Sequence, residues 1–228
     1  MIEDPPLLQI RRRFPRPTSG EVEAFRGIPT GNVCDAMNGR GAMDGRIKPI
    51  AGSAAFCGVA LTCDAGPADN LAVLGALAIA QPGDVIVCAT DAFAETAVTG
   101  DLVLGMLKNR GAVAFVTDGF VRDVPGIIGV GLPCYAAGIT PNSPARNGPG
   151  TVGLPIVVGG VAVNAGDIVI GDQDGVVVVP AALIRQTIER LPAIRAAEAD
   201  LEAKVKAGLE IPGFLQNMID AGRFSEVE

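Results

Sequence analysis

The order of the apolar segments constrains the fold of this chain most strongly. Short β-branched runs, such as GDVIVCAT at 83–90 and GAVAFV at 111–116, first alternate with segments of helical character. Several strand-like runs then follow one another between 154 and 180. Strands that alternate with helices and then become consecutive indicate an α/β or α+β class, with helices layered over sheets.

Turn and capping signals set the expected boundaries of these elements. Thr18 and Glu21 have the capping-box spacing of a short helix, and Thr30 is a candidate cap for a second helix through Met37. Asp69 or Asn70 is expected to cap a buried helix over 68–80. We further predict strands over 52–66, 83–90, 112–119 and 132–138, and a helix over 95–111 with Thr99 or Asp101 near its start. A loop is expected over 140–153, a strand-linking turn at 171–175, and a helical tail over 181–207 that Pro192 kinks or breaks.

Composition narrows the class of protein. Of the 228 residues, 49% are hydrophobic and 19% charged, which is typical of a soluble globular protein with a sizeable core. No apolar run reaches about 18 residues, so we expect no membrane span. The acidic, then apolar, then arginine-rich N-terminus has the wrong order for a secretory signal. Five cysteines without a CxxC pair predict reduced thiols in the cytoplasm.

The absence of histidine excludes several kinds of active site. Ser-His-Asp and Cys-His catalysis, His-ligated zinc and the two-His-one-carboxylate iron site all require this residue. A metal in this chain is therefore expected to bind carboxylates, carbonyls and water, which favours magnesium, manganese or calcium. The net charge is −7, and the basic residues are dispersed apart from a cluster at Arg11, so we expect no nucleic-acid groove.

Two short motifs combine the groups of an anion site and a metal site. In TGDLVLG (99–105), Asp101 and free backbone amides lie at a predicted helix N-terminus, which favours an anion. In DGFVRD (118–123), Arg122 offers a planar fork for a carboxylate, and Asp123 offers a ligand for a hard cation. The alternative is that Asp101 only caps its helix and that Arg122 and Asp123 are solvated charges.

Lysine and cysteine chemistry is not favoured. The four lysines, Lys48, Lys108, Lys204 and Lys206, lie between turns, near a helix end or in a charged helix, and none has the context of a desolvated amine. For any carbon–carbon bond chemistry, a metal-dependent enolate mechanism therefore fits better than an imine mechanism, which needs such a lysine. Cys34 and Cys88 lie in apolar contexts without a histidine partner, which disfavours a catalytic thiolate.

Four segments in the same order resemble the RraA-like family. They are TGD (99–101), GAVAFVTDGFVRD (111–123), GLPCYAAGITP (131–141) and GDIVIGDQDGVVVVP (166–180), and the likeness covers roughly residues 25–205. The family includes 4-hydroxy-4-methyl-2-oxoglutarate/4-carboxy-4-hydroxy-2-oxoadipate aldolases and the regulator of RNase E activity. The resemblance implies a swivelling α/β/β/α sandwich assembled as trimers or paired trimers. It also implies an N-terminal extension (1–24), a core (25–180) and a C-terminal helical segment (181–228).

The resemblance also implies roles for the residues of the two motifs. Arg122 would bind the carboxylate and keto oxygen of a 2-oxo acid, and Asp123 would hold Mg²⁺ or Mn²⁺ directly or through water. Asp101 would hold metal-bound water. The segment that begins at Gly100, through the amides of Leu102 and Val103, would bind the pyruvyl carboxylate.

A residue from a second subunit is also implied. In the aldolase branch a glutamate on the C-terminal helix of a neighbouring subunit completes the site, which favours Glu198 here over Glu202. A simple ion pair of Glu198 with Arg195 is the alternative. The regulators lack this long helix, so the resemblance favours a lyase that acts on a 4-hydroxy-2-oxo acid, with oxaloacetate decarboxylation as a related activity. A non-catalytic regulator of a protein partner is the rival.

Overall fold

The computed structural model describes residues 6–50 and 55–227, so residues 52–54 of the strand predicted over 52–66 lie outside the described part. The strands are β1 (Leu8–Ile10), β2 (Lys48–Pro49), β3 (Phe56–Asp64), β4 (Asp84–Ala89), β5 (Ala97–Thr99), β6 (Ala114–Thr117), β7 (Phe120–Val121), β8 (Cys134–Ala136), β9 (Gly138–Ile139), β10 (Gly150–Val152), β11 (Ile156–Val158), β12 (Val161–Val163), β13 (Ile168–Asp172) and β14 (Gly175–Val179). The helices are α1 (Ser19–Glu23), α2 (Thr30–Ala36), α3 (Leu71–Ala76), α4 (Asp101–Asn109), α5 (Val124–Val130), α6 (Ile184–Lys206) and α7 (Gly213–Asp220), with a 3₁₀ turn at Ala181–Leu183.

A large mixed sheet forms the centre of the molecule. Its middle strands β3, β4, β6 and β8 are parallel, and β2 adds antiparallel to β8. The long strand β3 pairs on its other side with β13 through its first half and with β10 through its last residues. The strand β1 then pairs with β10, and β14 with β13. The α/β class predicted from the sequence is confirmed.

Both faces of the parallel strands are buried, which explains their nearly continuous apolar runs. One face, with Leu61, Ile86 and Phe115, packs against α3, α4 and α5. The opposite face, with Val87 and Tyr135, packs against the β11–β12 hairpin. Successive residues of a strand alternate between these two cores, as the pleat requires. Helices α1, α2 and α6 cover the β13–β14 hairpin and form a third core.

A second, three-stranded sheet matters most for the site. Its order is β5-β7-β9, all parallel, with Ala97 opposite Phe120 and Phe120 opposite Gly138. Each strand has only two or three residues. Because the three strands run in the same direction, the segments that follow them leave from the same edge. These segments are the start of α4, the start of α5 and the loop over 140–149.

Four details of the predicted elements are corrected. The loop predicted over 140–153 ends before Gly150, because residues 150–152 pair with β1 and β3 as strand β10. The helix predicted over 95–111 begins only at Asp101, because residues 97–99 form β5. Thr30 is not a cap: it is the first residue of α2, and its hydroxyl donates to Asp172 at 2.8 Å. Pro192 does not break the tail, since α6 is one helix of 23 residues. Packing of Leu191 and its neighbours on the third core offsets the hydrogen bond that proline cannot donate.

Several other predictions are confirmed. Thr18 and Glu21 form the complete capping box of α1. The 171–175 segment is the turn between β13 and β14, and all five cysteines are free thiols. Within the described ranges 6–50 and 55–227, no helix combines the length and apolar character needed to cross a bilayer.

Candidate functional site

The two motifs singled out in the sequence meet because β5 and β7 are adjacent parallel strands. Thr99 lies opposite Val121, and the backbone N–H of Arg122 donates to the Thr99 carbonyl at 3.1 Å. Immediately after this contact, one chain segment enters α4 through Gly100 and Asp101, and the other enters α5 through Arg122 and Asp123. The ends of neighbouring parallel strands are a common location of ligand sites in α/β proteins.

Two glycines make room for the two carboxylates. A Cβ atom on Gly100 would lie 2.5 Å from Oδ2 of Asp123, and one on Gly126 would lie 2.1 Å from Oδ2 of Asp101. Neither position accepts a side chain without displacement of a carboxylate. Asp123 itself has left-handed backbone angles, with φ 62° and ψ 44°. Such a conformation is uncommon outside glycine, although aspartate tolerates it, and it occurs often at functional sites.

Arg122 is oriented by contacts on two sides. Its Nε donates to Oδ2 of Asp123 at 3.1 Å, and its Nη1 donates to Oγ of Ser143. Arg122 and Asp123 therefore form an ion pair, and because 37% and 45% of the two side chains are exposed, they also agree in part with the alternative of solvated charges. Of the described residues, none accepts a hydrogen bond from Nη2, so the fork retains donors for a ligand.

A pocket of about 310 Å³ contains these groups. Its size is in the range of small-molecule sites. The lining includes all six residues that the sequence placed there, and these are Gly100, Asp101, Leu102, Val103, Arg122 and Asp123. It also includes three residues that sequence reasoning missed, namely Asn70, Ser143 and Arg146. Asn70 precedes α3, while Ser143 and Arg146 belong to the loop over 140–149.

Asn70 presents a buried acceptor without a protein donor. Its side-chain oxygen is buried, the residue is only 4% exposed, and no donor among the described residues reaches this oxygen. A buried acceptor without a donor costs about 1–3 kcal/mol. In a pocket, such an acceptor is a ready partner for a ligand hydroxyl, a water molecule or a cation. The only sequence signal for Asn70 was its position as a helix cap, and its side chain makes no capping bond.

The amides at the start of α4 are only partly free. The Leu102 amide donates to Oδ1 of Asp101 at 2.7 Å, whereas no described residue accepts a hydrogen bond from the Val103 amide. Because the helix N-terminus carries a partial positive charge, an anion beside Val103 is favoured. Asp101 thus accepts the hydrogen bond of Leu102, which is one of the two amides that the family resemblance assigns to a substrate carboxylate.

The oxygen groups of the pocket match the chemistry of Mg²⁺ or Mn²⁺. Asp101 and Asp123 each use one carboxylate oxygen in the contacts above, and Asn70 adds its unpaired amide oxygen. All are hard donors, and Mg²⁺ characteristically binds one or two carboxylates and retains water. In residues 6–50 and 55–227, however, no three His, Cys, Asp or Glu side chains form a cluster that could hold a metal. Water, substrate or a second subunit would have to complete the shell.

Glu198 does not join this pocket within one chain. It lies on α6, where Oε2 accepts a hydrogen bond from Nδ2 of Asn32 at 2.6 Å. An ion pair with Arg195 is absent from the described part of the chain, so that alternative is not observed. Glu202, the second candidate, forms an ion pair with Lys206 one turn later. A role for Glu198 in the pocket of a neighbouring subunit stays a prediction.

Within residues 6–50 and 55–227, the lysines and cysteines lack the surroundings of a strong nucleophile. All four lysines are exposed, and Lys108 donates to the Val130 carbonyl rather than lying in an apolar pocket. Burial raises the pKa of Cys57 to about 11 and that of Cys134 to about 12. Burial also raises the pKa of Cys88 far above its ordinary value and, less strongly, that of Cys34. Thiols with raised pKa values are poor nucleophiles near neutrality.

Comparison with known proteins identifies relatives of two kinds. The RraA-like family model, described as Aldolase/RraA, matches residues 30–178. A protein of Halalkalibacterium halodurans named "Putative 4-hydroxy-4-methyl-2-oxoglutarate aldolase" is 35% identical over 202 residues, which cover 87% of this chain and 95% of that protein.

Two solved structures represent the regulators. RraAS2 of Streptomyces coelicolor, described as an unusual member of the RNase ES inhibitor RraA protein family, has a TM-score of 0.73 and 25% identity, over 84% of this chain and 100% of its own. The RNA-processing inhibitor RraA from Thermus thermophilis has a TM-score of 0.62 and 28% identity, over 67% of this chain and 92% of its own.

Proposed function

This chain belongs to the Aldolase/RraA family, and on that premise we propose that it is a lyase that cleaves a 4-hydroxy-2-oxo acid into pyruvate and a second carbonyl compound. One observation carries the proposal: Asp101, Arg122 and Asp123 converge in one pocket at the ends of two paired strands. The aldolase name of the 35% identical relative supports the same reading.

Arg122 binds the 2-oxo acid end of the substrate. Its planar fork reaches two oxygens at once, so the carboxylate and the keto oxygen are held together. The Val103 amide at the N-terminus of α4 stabilises the same carboxylate. Mg²⁺ or Mn²⁺, held by Asp123 and by Asp101 through water, would polarise the keto oxygen as a Lewis acid.

The reaction then needs one proton acceptor and one stabiliser of negative charge. Asp101, through a water molecule that its second oxygen holds, takes the proton from the 4-hydroxyl. The C3–C4 bond breaks, the former C4 leaves as a carbonyl, and the bonding electrons form the pyruvate enolate. Arg122 stabilises the charge that develops on the C2 oxygen. The proton taken from the 4-hydroxyl returns through the same water molecule to C3 and gives pyruvate, and loss of CO₂ from oxaloacetate produces the same enolate.

Arg146 supplies a second cation at the pocket, and we assign it to the far end of the substrate. A 4-hydroxy-2-oxo acid with a second carboxylate presents negative charge at both ends, which matches Arg122 and Arg146. Asn70 also lines the pocket, and its unpaired oxygen can accept a hydrogen bond from a substrate hydroxyl or a water molecule. The proposed substrate class is therefore a dicarboxylic or tricarboxylic 4-hydroxy-2-oxo acid.

The proposal is tested with the purified protein and a panel of 4-hydroxy-2-oxo acids plus oxaloacetate. Pyruvate release is measured with Mg²⁺ or Mn²⁺, and the metal-only rate is subtracted. We expect turnover of at least one acid and its near-complete loss in Arg122→Ala. Equal rates in the wild type and Arg122→Ala, or no turnover of any acid, would contradict the proposal.

A regulator that binds a protein partner is the second candidate. It is favoured by the similarity to the two RraA structures and by exposed apolar side chains beyond the core, such as Phe214 at 75% exposure. A regulator needs neither the carboxylates nor Arg122 for its effect. Absence of turnover across the panel, together with inhibition of a ribonuclease by both wild type and Arg122→Ala, would favour this candidate.

A further inference from the structure

Asp69 is a buried carboxylate that the proposed chemistry does not use. The residue is 7% exposed and precedes Asn70 at the start of α3. Its Oδ1 accepts a hydrogen bond from the Leu71 amide at 2.7 Å. Its Oδ2 accepts from the amides of Asn147 at 2.6 Å and Gly148 at 3.1 Å. One side chain thus joins the first turn of a helix to a distant loop.

The backbone reinforces this connection on the other side of Arg146. The Ala145 amide donates to the Ala68 carbonyl at 2.7 Å, and the Asn70 amide donates to the Ala145 carbonyl at 3.1 Å. Arg146 therefore lies between two anchored residues, Ala145 and Asn147. Both anchors attach to residues 68–70, which also carry the unpaired oxygen of Asn70.

The other part of the loop is anchored independently. The Ala97 amide donates to the Asn142 carbonyl at 3.0 Å, and Nδ2 of Asn142 donates to the Glu95 carbonyl at 3.1 Å. This anchor holds Ser143, which contacts Arg122. Loss of the Asp69 contacts would therefore release Arg146 while Ser143 and Arg122 remain in place.

We propose that Asp69 is a positioning residue that fixes the 145–148 segment, and through it the guanidinium of Arg146, over the pocket; the consequence for substrate choice rests on the proposed function. Alanine at position 69 removes both acceptor oxygens, so the amides of Leu71, Asn147 and Gly148 lose their acceptor. Arg146 would then lose its fixed position, while the catalytic groups near Arg122 would not. Asparagine is less informative, because its one remaining oxygen can turn toward Asn147 and Gly148 and keep both bonds.

The kinetic test compares Asp69→Ala, Arg146→Ala and the double variant. With oxaloacetate, we expect Asp69→Ala to lower kcat/KM on the order of 10-fold to 100-fold. The loss should be mainly in KM, because it removes binding rather than bond-breaking groups. A 4-hydroxy-2-oxo acid with a single carboxylate should be nearly unaffected. In the Arg146→Ala background, Asp69→Ala should add less than about twofold, since residues that act through each other are not additive.

Asp172→Ala is the matched control. Asp172 also accepts three hydrogen bonds, from the Thr30 amide and hydroxyl and from the Asp174 amide, but it does not line the pocket. The control variant should have lower thermal stability without the change in KM. Equal effects of Asp69→Ala on both substrates, or full additivity with Arg146→Ala, would overturn the positioning role.

A second measurement is independent of turnover. Hydrogen exchange of peptides over 145–149 should be faster in Asp69→Ala, because the Asn147 and Gly148 amides lose their acceptor, whereas peptides over 101–109 should be unchanged. Unchanged exchange over 145–149 would refute the proposal that Asp69 fixes this segment. Faster exchange in a protein that turns over none of the acids would support the role of Asp69 and reject the lyase activity instead.

Discussion

Arg122 is preorganised by its neighbours before any ligand binds. Asp123 holds Nε and Ser143 holds Nη1, so the plane of the guanidinium is fixed relative to the strand ends. Donors that are already oriented toward a developing charge contribute strongly to catalysis, because no reorganisation is needed as the charge forms.

Arg122→Lys should therefore damage turnover far more than folding. Lysine keeps the charge but has no planar fork, so it cannot hold the keto oxygen and the carboxylate together. Loss of such a donor typically lowers the rate on the order of 100-fold to 1000-fold. Steady-state kinetics and thermal unfolding measure the two effects. Arg46→Lys is the control, because Arg46 forms an ion pair with Asp44 outside the pocket at 2.8 Å. A near-native rate in Arg122→Lys would remove Arg122 from the site.

Asn70→Leu should separate stability from function. The variant removes a buried oxygen that has no donor in the described structure, so its free energy of unfolding should stay within about 1 kcal/mol of wild type or increase. Turnover should fall at least about 10-fold if the oxygen binds the substrate hydroxyl or a water molecule. Urea unfolding and pyruvate release are the two readouts. A variant that is strongly destabilised yet fully active would show that Asn70 is only structural.

At the residue scale, the sequence predicted one part of the pocket. Asp101, Arg122 and Asp123 follow strand-like runs in short motifs, so their charges and their position near strand ends could be predicted. Asn70 and Arg146 could not, because a helix cap and a loop arginine look the same with or without a ligand. Only the pairing of Asp69 with Ala145 and the loop contacts bring them to the pocket.

The N-terminal segment illustrates stabilisation between elements. Arg16 forms an ion pair with Asp84, the first residue of β4, whose side chain is fully buried. Arg16→Ala would leave this carboxylate without its cation and should lower the free energy of unfolding by about 3 kcal/mol at neutral pH. Arg26→Ala, which breaks an exposed pair with Glu23, should cost less than about 1 kcal/mol. Urea unfolding of both variants provides the comparison.

The loss of unfolding free energy in Arg16→Ala should become smaller as pH falls. Burial raises the pKa of Asp84, while the Gln81 amide and Arg16 lower it, so removal of Arg16 raises this pKa further. A carboxyl whose pKa is higher in the folded state loses stability as pH rises through that pKa. The difference from wild type should thus shrink as pH falls from about 7 toward about 4. A deficit that is independent of pH, or no recovery in the Arg16→Ala/Asp84→Asn double variant, would contradict this account.

The elements themselves were predicted best where they are long or strongly patterned. The β4 and β6 strands, the capping box of α1 and the β13–β14 turn all follow from local signals. The short strands β5, β7 and β9 were not all anticipated, because two or three residues show no periodicity. Pro192 was expected to disturb α6, but long-range packing of Leu191 on the third core determines the outcome.

At the scale of the whole molecule, α6 and α7 extend beyond the core. From residue 197 through residue 212 every side chain is exposed, including Leu201 at 51% and Val205 at 56%. Exposed apolar side chains of this kind often mark an interface. Together with the family resemblance, they support the proposal that the active unit is a homo-oligomer, a trimer or hexamer, in which Glu198 reaches a neighbouring pocket.

Complementation between two inactive variants tests this shared site. Arg122→Ala and Glu198→Ala chains, each inactive alone, are mixed and reassembled. In a ring, each subunit both gives and receives a glutamate, so some interfaces would pair an intact Arg122 with an intact Glu198. Part of the activity should return. No recovery despite confirmed subunit exchange, or full activity of Glu198→Ala with reduced stability, would limit Glu198 to its contact with Asn32.

The assembly and the substrate are the features that the sequence predicts least directly. A single chain shows which side chains lie near each other within it, but the surface that a second copy covers depends on shape over many residues. The same applies to the proposed acid, because the sequence positions of Arg122 and Arg146 do not give the distance between their two guanidinium groups.

The central claim, a metal-dependent lyase, is tested most directly by the rate of pyruvate release from the best acid of the panel before and after removal of divalent metal. We expect excess EDTA to abolish turnover, Mg²⁺ or Mn²⁺ to restore it in the wild type, and neither ion to restore it in Asp123→Ala. Undiminished turnover in excess EDTA, or covalent trapping of the protein by borohydride in the presence of pyruvate, would contradict the account, because both results require a mechanism without the metal.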